Sequence, residues 1–188
     1  MTGRESFKKY HPIIAVLGMF FSVFGRKGNL FLLKGFRHTS GKVGLVLRYV
    51  FLKNAAEFVG ENVSVQPGVY LLNVQNLHLG NNVSIHPMCY IDAKGGIKIG
   101  NEVSIAHGSS ILSTNHDWTD RRVPIKYNTV QLEKVIIEDD VWIGCGVRIL
   151  AGVHVGSRSV IAAGSVVNKD VEPNTVVVGV PAKMVKTI

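Results

Sequence analysis

Aliphatic residues recur every six positions over most of the chain. Val59, Val65 and Leu71 begin the series. Leu79, Ile85 and Ile91, then Ile99, Ile105 and Ile111, continue it. It resumes at Ile137 and runs through Ile143, Ile149, Val155 and Ile161 to Val167. Four residues after most of these stands a small or β-branched residue, such as Val63, Val83, Val103, Val141, Ser159 or Ser165. The blocks beginning at Gly60, Gly80 and Gly100 read GENVSV, GNNVSI and GNEVSI, so the unit repeats at 20 residues.

A period of six excludes an amphipathic helix, in which positions i and i+6 lie about 240° apart. It also excludes a long strand alternating at every second residue. Six residues fit one short strand and one turn. Three such units close a triangular coil of about 18 residues, and coils stack at the usual strand spacing of about 4.8 Å. The aliphatic residue points into the prism and the small residue sits at the corner. Two extra residues in the longer coils, such as Leu77-His78 and Ile97-Lys98, lengthen one corner. The expected fold is therefore mainly β. It is a parallel β-helix over 57–188, with one looped-out insertion and a short C-terminal extension, Pro173–Ile188, running back along the prism.

The repeat breaks once. The step from Ile111 to Ile137 is 26 residues where six would continue the coil. The excess, placed at 117–135, should loop out. His116, Trp118, Arg121 and Arg122 stand at its start, on an excursion from a rigid scaffold, where function concentrates.

The N-terminal 56 residues lack the six-residue period. Pro12–Phe24 is an apolar run of 13 residues. As a helix it would be about 20 Å long, short of a hydrocarbon core of about 30 Å. No small-residue cleavage pattern follows it. Further apolar patches, Leu30–Leu33 and Val43–Leu52, lie among cations. This segment is expected to be helical and to cap the first coil. Two readings stand side by side: a peripheral contact of 1–56 with an anionic membrane, or a helical pair packed on the body or on another subunit.

Composition sharpens this division. Of 188 residues, 46% are hydrophobic but only 8% aromatic, so the core should be aliphatic. Two cysteines leave no disulfide framework and no Cys-based zinc site, which suits a reducing, cytoplasmic setting. The net charge of +8 is uneven. Residues 1–56 hold ten Lys and Arg against Glu5 alone, whereas 57–188 are nearly neutral. A basic end on a neutral body does not suggest a nucleic-acid partner.

Four stretches carry a family resemblance: Ser113–Asp117 (STNHD), Asp140–Gly144 (DVWIG), Val160–Val167 (VIAAGSVV) and Gly179–Lys183 (GVPAK). In this order they resemble the galactoside, maltose and nodulation-type O-acetyltransferases of the hexapeptide acyltransferase superfamily. The basic N-terminus is more like the acetyltransferases of surface-polysaccharide gene clusters. The resemblance implies a left-handed coil, acetyl-CoA as co-substrate, a sugar or glycan acceptor and a homotrimer whose sites lie between two prisms. It makes His116 the general base, at the mouth of the loop. Histidine suits the task because it exchanges protons near neutral pH.

The resemblance also assigns the donor side. Cys145 and Ala163 line the pantetheine channel, Trp142 lies near the site, and Asn168 and Lys169 match a Thr-Lys pair near the nucleotide. Lys183 and Lys186 match arginines that meet the phosphates, with the charge but without the bidentate geometry. An oxyanion donor is expected on a backbone N–H near Gly144. On the acceptor side, His86 and Lys94 stand where the galactoside enzymes carry Asn and Asp, so galactose, lactose and maltose are not implied. Tyr90 and Asp92 are close by and could serve instead. Asp117 is a further candidate, for orienting the imidazole or binding acceptor. Arg121 and Arg122 are read either as contacts to an anionic acceptor or as solvated residues.

Three alternatives use the same scaffold. One is N-acetylation of an amino sugar. Another is a non-catalytic assembly module, which would be expected to have lost His116 and the channel motifs. The third is a zinc-dependent carbonic anhydrase, which stacks histidines between coils. Here no two of the seven histidines are 20 apart, and no metal site is expected.

Overall fold

The computed structural model describes residues 3–188. Three helices come first: α1 (Gly3–Ser22), α2 (Gly25–Gly35) and α3 (Gly41–Ala55). From Phe58 onward the chain winds through three parallel sheets, one per face of a prism. The first face stacks the strands at Phe58–Val59, Leu77–Leu79, Ile97–Ile99, Val135–Ile137 and His154–Val155. The second stacks those at Ser64–Val65, Ser84–Ile85, Ser104–Ile105, Trp142–Ile143, Val160–Ile161 and Thr175–Val178. The third stacks Tyr70–Leu72, Tyr90–Asp92, Ser110–Leu112, Arg148–Ile149 and Val166–Val167.

The six-residue series is the register of this stack. Val59 pairs with Leu79, Leu79 with Ile99, Ile99 with Ile137 and Ile137 with Val155. Every aliphatic position in the series is at most 8% exposed, and most are at 0–1%. Each such side chain contributes about 1.5–3 kcal/mol by leaving water. The corners turn on left-handed residues placed just before the small one. Asn62, Asn82, Glu102, Asp140 and Arg158 have φ between 53° and 59°. Asn and Asp tolerate that conformation better than Glu or Arg. Gly80 is needed for a different reason. A Cβ there would lie 2.6 Å from the backbone of Gly100 in the next coil.

Polar ladders lock neighbouring coils. The Glu61 N–H donates to Asn81 Oδ1 (2.8 Å), the Asn81 N–H to Asn101 Oδ1 (2.8 Å), and the Asn101 N–H to Asp139 Oδ1 (2.7 Å). The repeated Asn positions thus satisfy backbone donors at a corner where strands end.

The prism interior is aliphatic, and the buried aromatic side chains, Tyr49 and Phe51, lie in the helical cap. Phe21 meets Phe51 edge-on at 4.9 Å, and Phe36 lies 5.6 Å from Phe51. Helix α3 packs on the strands Phe58–Val59 and Ser64–Val65 and on the 3-10 turn Val74–Asn76, closing the first coil. Arg48 is buried and ties α3 to two segments, the α2–α3 turn and the strand Ser64–Val65. Its Nε donates to Val65 O (2.8 Å), and its Nη1 to Phe36 O (3.1 Å) and Thr39 O (2.7 Å). Burial lowers its pKa.

Three details differ from the sequence expectation. The segment forms three helices rather than a pair. Helix α1 begins nine residues before the apolar run and carries Pro12 inside it, so one helical hydrogen bond is missing there. The C-terminal extension starts later than Pro173. Thr175–Val178 still belongs to the second face, with Val177 paired to Ile161 and 5% exposed. That last step is 16 residues long, which breaks the count by six. Only after a turn at 179–182 does Lys183–Thr187 return antiparallel along Thr175–Val178.

Candidate active site

The interruption is a β-hairpin. Thr114–His116 pairs antiparallel with Val130–Leu132, and His116 stands opposite Val130. Its neck is fixed by the buried Ser113. The Ser113 carbonyl accepts the Glu133 N–H (3.0 Å). Its hydroxyl donates to Asp92 O (2.7 Å) and accepts the Gly95 N–H (2.9 Å). The chain therefore leaves the prism at Ser113, four residues before the expected start at 117. It is back in the prism by Val135, which pairs with Ile97 and is 0% exposed. Counting aliphatic residues finds the break in period but not the residue at which the chain turns away.

His116 is exposed at the end of the outgoing hairpin strand. Asp117 does not hold that ring. Its Oδ1 accepts from the Thr119 N–H and hydroxyl, both at 2.8 Å. These bonds, the backbone N–H first, hold its carboxyl below the usual carboxylate range. Arg122 closes a two-pronged pair on Asp120 (2.9 and 2.8 Å). Both contacts order the loop from within. Arg121 is exposed.

The expected acceptor residues divide. Lys94 is exposed beside the hairpin neck. Asp92 is there too, but its Oδ1 accepts Asn73 Nδ2 (2.7 Å) and the Lys94 N–H (3.1 Å), so it caps a turn. Tyr90 points outward from the third face over Tyr70, with ring centroids 6.3 Å apart. His86 is exposed at the other corner of the same coil, between the second and third faces.

The donor residues divide as well. Cys145 and Ala163 stack at the corner between the second and third faces. The Gly164 N–H donates to Cys145 O (2.8 Å), and a Cβ on Gly144 would lie 2.6 Å from Ala163 N. The column is narrow because only small residues allow this approach. The Gly144 N–H is committed to Ile161 O (2.8 Å), so Gly144 itself cannot supply the expected oxyanion donor. Trp142 is 57% exposed on the second face, in an open cleft of about 260 Å³ shared with Ile188. Lys183 and Lys186 are exposed on the returning strand, paired with Val178 and Val176 of that face. Ser165, which the sequence marked only as a small corner residue, fixes the turn into this strand by accepting the Gly179 N–H (3.1 Å). Asn168 and Lys169 are exposed at a different corner, past the third face. The expected donor residues therefore lie at two different corners of one chain. A cleft of about 840 Å³ between α1 and the first coils contains none of these residues. Among the described residues, no three His, Cys, Asp or Glu side chains converge to hold a metal ion.

The pattern has known relatives. Residues 134–169 match the family model described as bacterial transferase hexapeptide (six repeats). The galactoside O-acetyltransferase of Escherichia coli is 34% identical over 146 residues, spanning 75% of this chain and 68% of that one.

The chain belongs to the hexapeptide-repeat acetyltransferases.

The structure of a galactoside acetyltransferase in complex with coenzyme A superimposes with a TM-score of 0.77 at 32% identity, over 86% of this chain and 80% of that one. This agrees with the left-handed β-helix that the motifs implied. A Schizosaccharomyces pombe protein carrying an acetyltransferase name is 58% identical over 52 residues, which is 28% of this chain and a quarter of that protein's length (25%). As a hexapeptide-repeat acetyltransferase, the chain has its one long excursion at the hairpin that carries His116.

Proposed function

We propose that the protein transfers an acetyl group from acetyl-CoA to a hydroxyl of a sugar or glycan, with His116 as general base. The observation that carries this reading is an exposed imidazole on the hairpin that interrupts an otherwise continuous stack of coils. The acceptor O–H gives its proton to the imidazole as its oxygen forms a bond to the thioester carbonyl carbon. The carbonyl electrons move onto oxygen. When the tetrahedral intermediate collapses, the C–S bond breaks and the leaving thiolate takes the proton from the imidazolium. A base in this role contributes about 10²–10⁴-fold. No covalent acyl-enzyme is needed.

The narrow column at Cys145 and Ala163 suits an extended pantetheine arm. Lys183 and Lys186 supply charge for phosphates. Asn168 and Lys169 lie on another corner, so the complete site is formed between two protomers of a trimer. Two features support this assembly. The expected residues divide between corners of one chain, and the hairpin leaves Trp118, Ile125, Tyr127 and Leu132 57–71% exposed. The acceptor belongs to surface-polysaccharide synthesis in this reading.

The test is thiol release from acetyl-CoA by the full chain across sugars, amino sugars and glycan fragments, with mass analysis of products. Acceptor-dependent release with a base-labile ester product supports the reading. An alkali-stable amide product would move the protein to N-acetylation. Absence of coenzyme A binding would end the catalytic reading.

A further inference from the structure

Helix α1 has two apolar faces. One packs inward: Ile14 is buried, and Phe21 lies against Phe51 of α3. The other has no cover. Ile13, Val16 and Phe20 are 59–60% exposed, and the stripe continues through Val23 (77%) and Phe24 (51%) to Phe31 of α2 (77%). Steps of three and four residues keep the stripe on one side of α1. The rings of Phe20 and Phe24 are 6.3 Å apart at the elbow between the helices. Single exposed apolar residues need no explanation, but a continuous stripe on a folded chain does.

Cations frame this stripe. Lys9 is exposed at its start, Arg26 and Lys27 directly follow the elbow, and Lys34 lies beyond Phe31. Glu5 is the sole acid in residues 1–56. We infer that the α1–α2 elbow is a docking surface for an anionic phospholipid bilayer. Its apolar tip enters the headgroup boundary while the flanking cations meet phosphates. Charge complementarity selects this occupant, because apolar tip and cationic rim match the layered order of an anionic membrane interface. Among the described residues, no single helix is long and apolar enough to cross a membrane. The one helix pair that passes by length and composition is bent by 119° at the elbow. The elbow therefore inserts its tip rather than spanning. Since the inner side of α1 is fixed to α3, and α3 closes the first coil, docking would leave the prism in the aqueous phase.

This inference stands apart from the acetyl-transfer reading, because its test measures partitioning and not catalysis. The full chain is sedimented with phosphatidylcholine vesicles, with and without phosphatidylglycerol, at low and high salt. Light scattering gives its mass in solution. The wild type should sediment with the anionic vesicles, less with zwitterionic ones and less at high salt. The double variant Val23→Asp, Phe24→Asp should lose at least about tenfold in partitioning at unchanged mass and melting temperature. Arg26→Glu with Lys27→Glu should lose affinity for the anionic vesicles and most of the salt dependence. Wild type left in the supernatant with anionic vesicles would overturn the inference. So would unchanged sedimentation of the Asp variant. A drop in oligomer mass for the Asp variant would assign the stripe to contact between copies and overturn it too.

Discussion

The prism and the hairpin that interrupts it use their residues differently. In the prism, the aliphatic series from Val59 to Val167 is at most 8% exposed, and each corner is tied to the next coil by backbone or Asn bonds. In the hairpin, all three residues of Val130–Leu132 are exposed, and side-chain bonds such as Asp117 to Thr119 and Asp120 to Arg122 are short-range. The prism carries stability, and in the proposed reading the hairpin carries the general base. A change in one should leave the other's property nearly intact.

The largest expected effect comes from removing the hairpin. Deleting residues 113–132 restores the six-residue spacing between Ile111 and Ile137. The product should melt cooperatively in calorimetry and release no thiol from acetyl-CoA. Next is Ile143→Ala, which removes a side chain at 0% exposure from the second face. Urea unfolding should show a loss of about 2–5 kcal/mol. Its remaining folded fraction should keep its turnover. Smaller still is Asn101→Ala, which strips the Asn81 N–H of its acceptor and removes the Nδ2 donor to Asp139, while the backbone N–H at 101 still donates to that carboxylate. A loss of about 1 kcal/mol is expected in the same measurement.

The smallest effect is a pH dependence. Glu138 accepts the Ser157 N–H and pairs with His154 (both 2.8 Å), and these bonds hold its carboxyl below the usual range. A depressed carboxylate stabilises the fold above the unfolded-state value of about 4.3 and loses that contribution as pH falls through its lower folded value. Glu138→Gln should abolish this part of the acid sensitivity. Urea midpoints of the two proteins, compared near neutral pH and near pH 3, would show converging curves in acid.

Much of the prism was legible because its period leaves few alternatives. Once Ile85, Ile105 and Ile143 must all point inward, six-residue spacing defines three faces and their register. The excursion was visible as missing periodicity, yet its neck was not. Ser113 holds the hairpin through hydroxyl bonds to Asp92 and Gly95, and a small polar residue in a turn gives no such signal beforehand. The helical cap was harder to read for the same kind of reason. Arg48 is the one charged residue inside the apolar run Val43–Leu52, and it is a buried clamp whose partners are carbonyls from the α2–α3 turn and the strand Ser64–Val65. At the site, sequence named His116 and the Cys145–Ala163 column. It did not reveal that Asp92 and Asp117 spend their carboxylates on local turns, or that Asn168 and Lys169 lie on another corner.

The central claim is that His116 takes the acceptor proton while contributing little to the fold. It is tested by kcat/KM for thiol release from acetyl-CoA in the wild type and His116→Ala, at equal melting temperature and with the acceptor identified from the panel. The account predicts a fall of about 10²–10⁴-fold with no change in stability. An unchanged kcat/KM, or a loss explained wholly by unfolding of the variant, would contradict it.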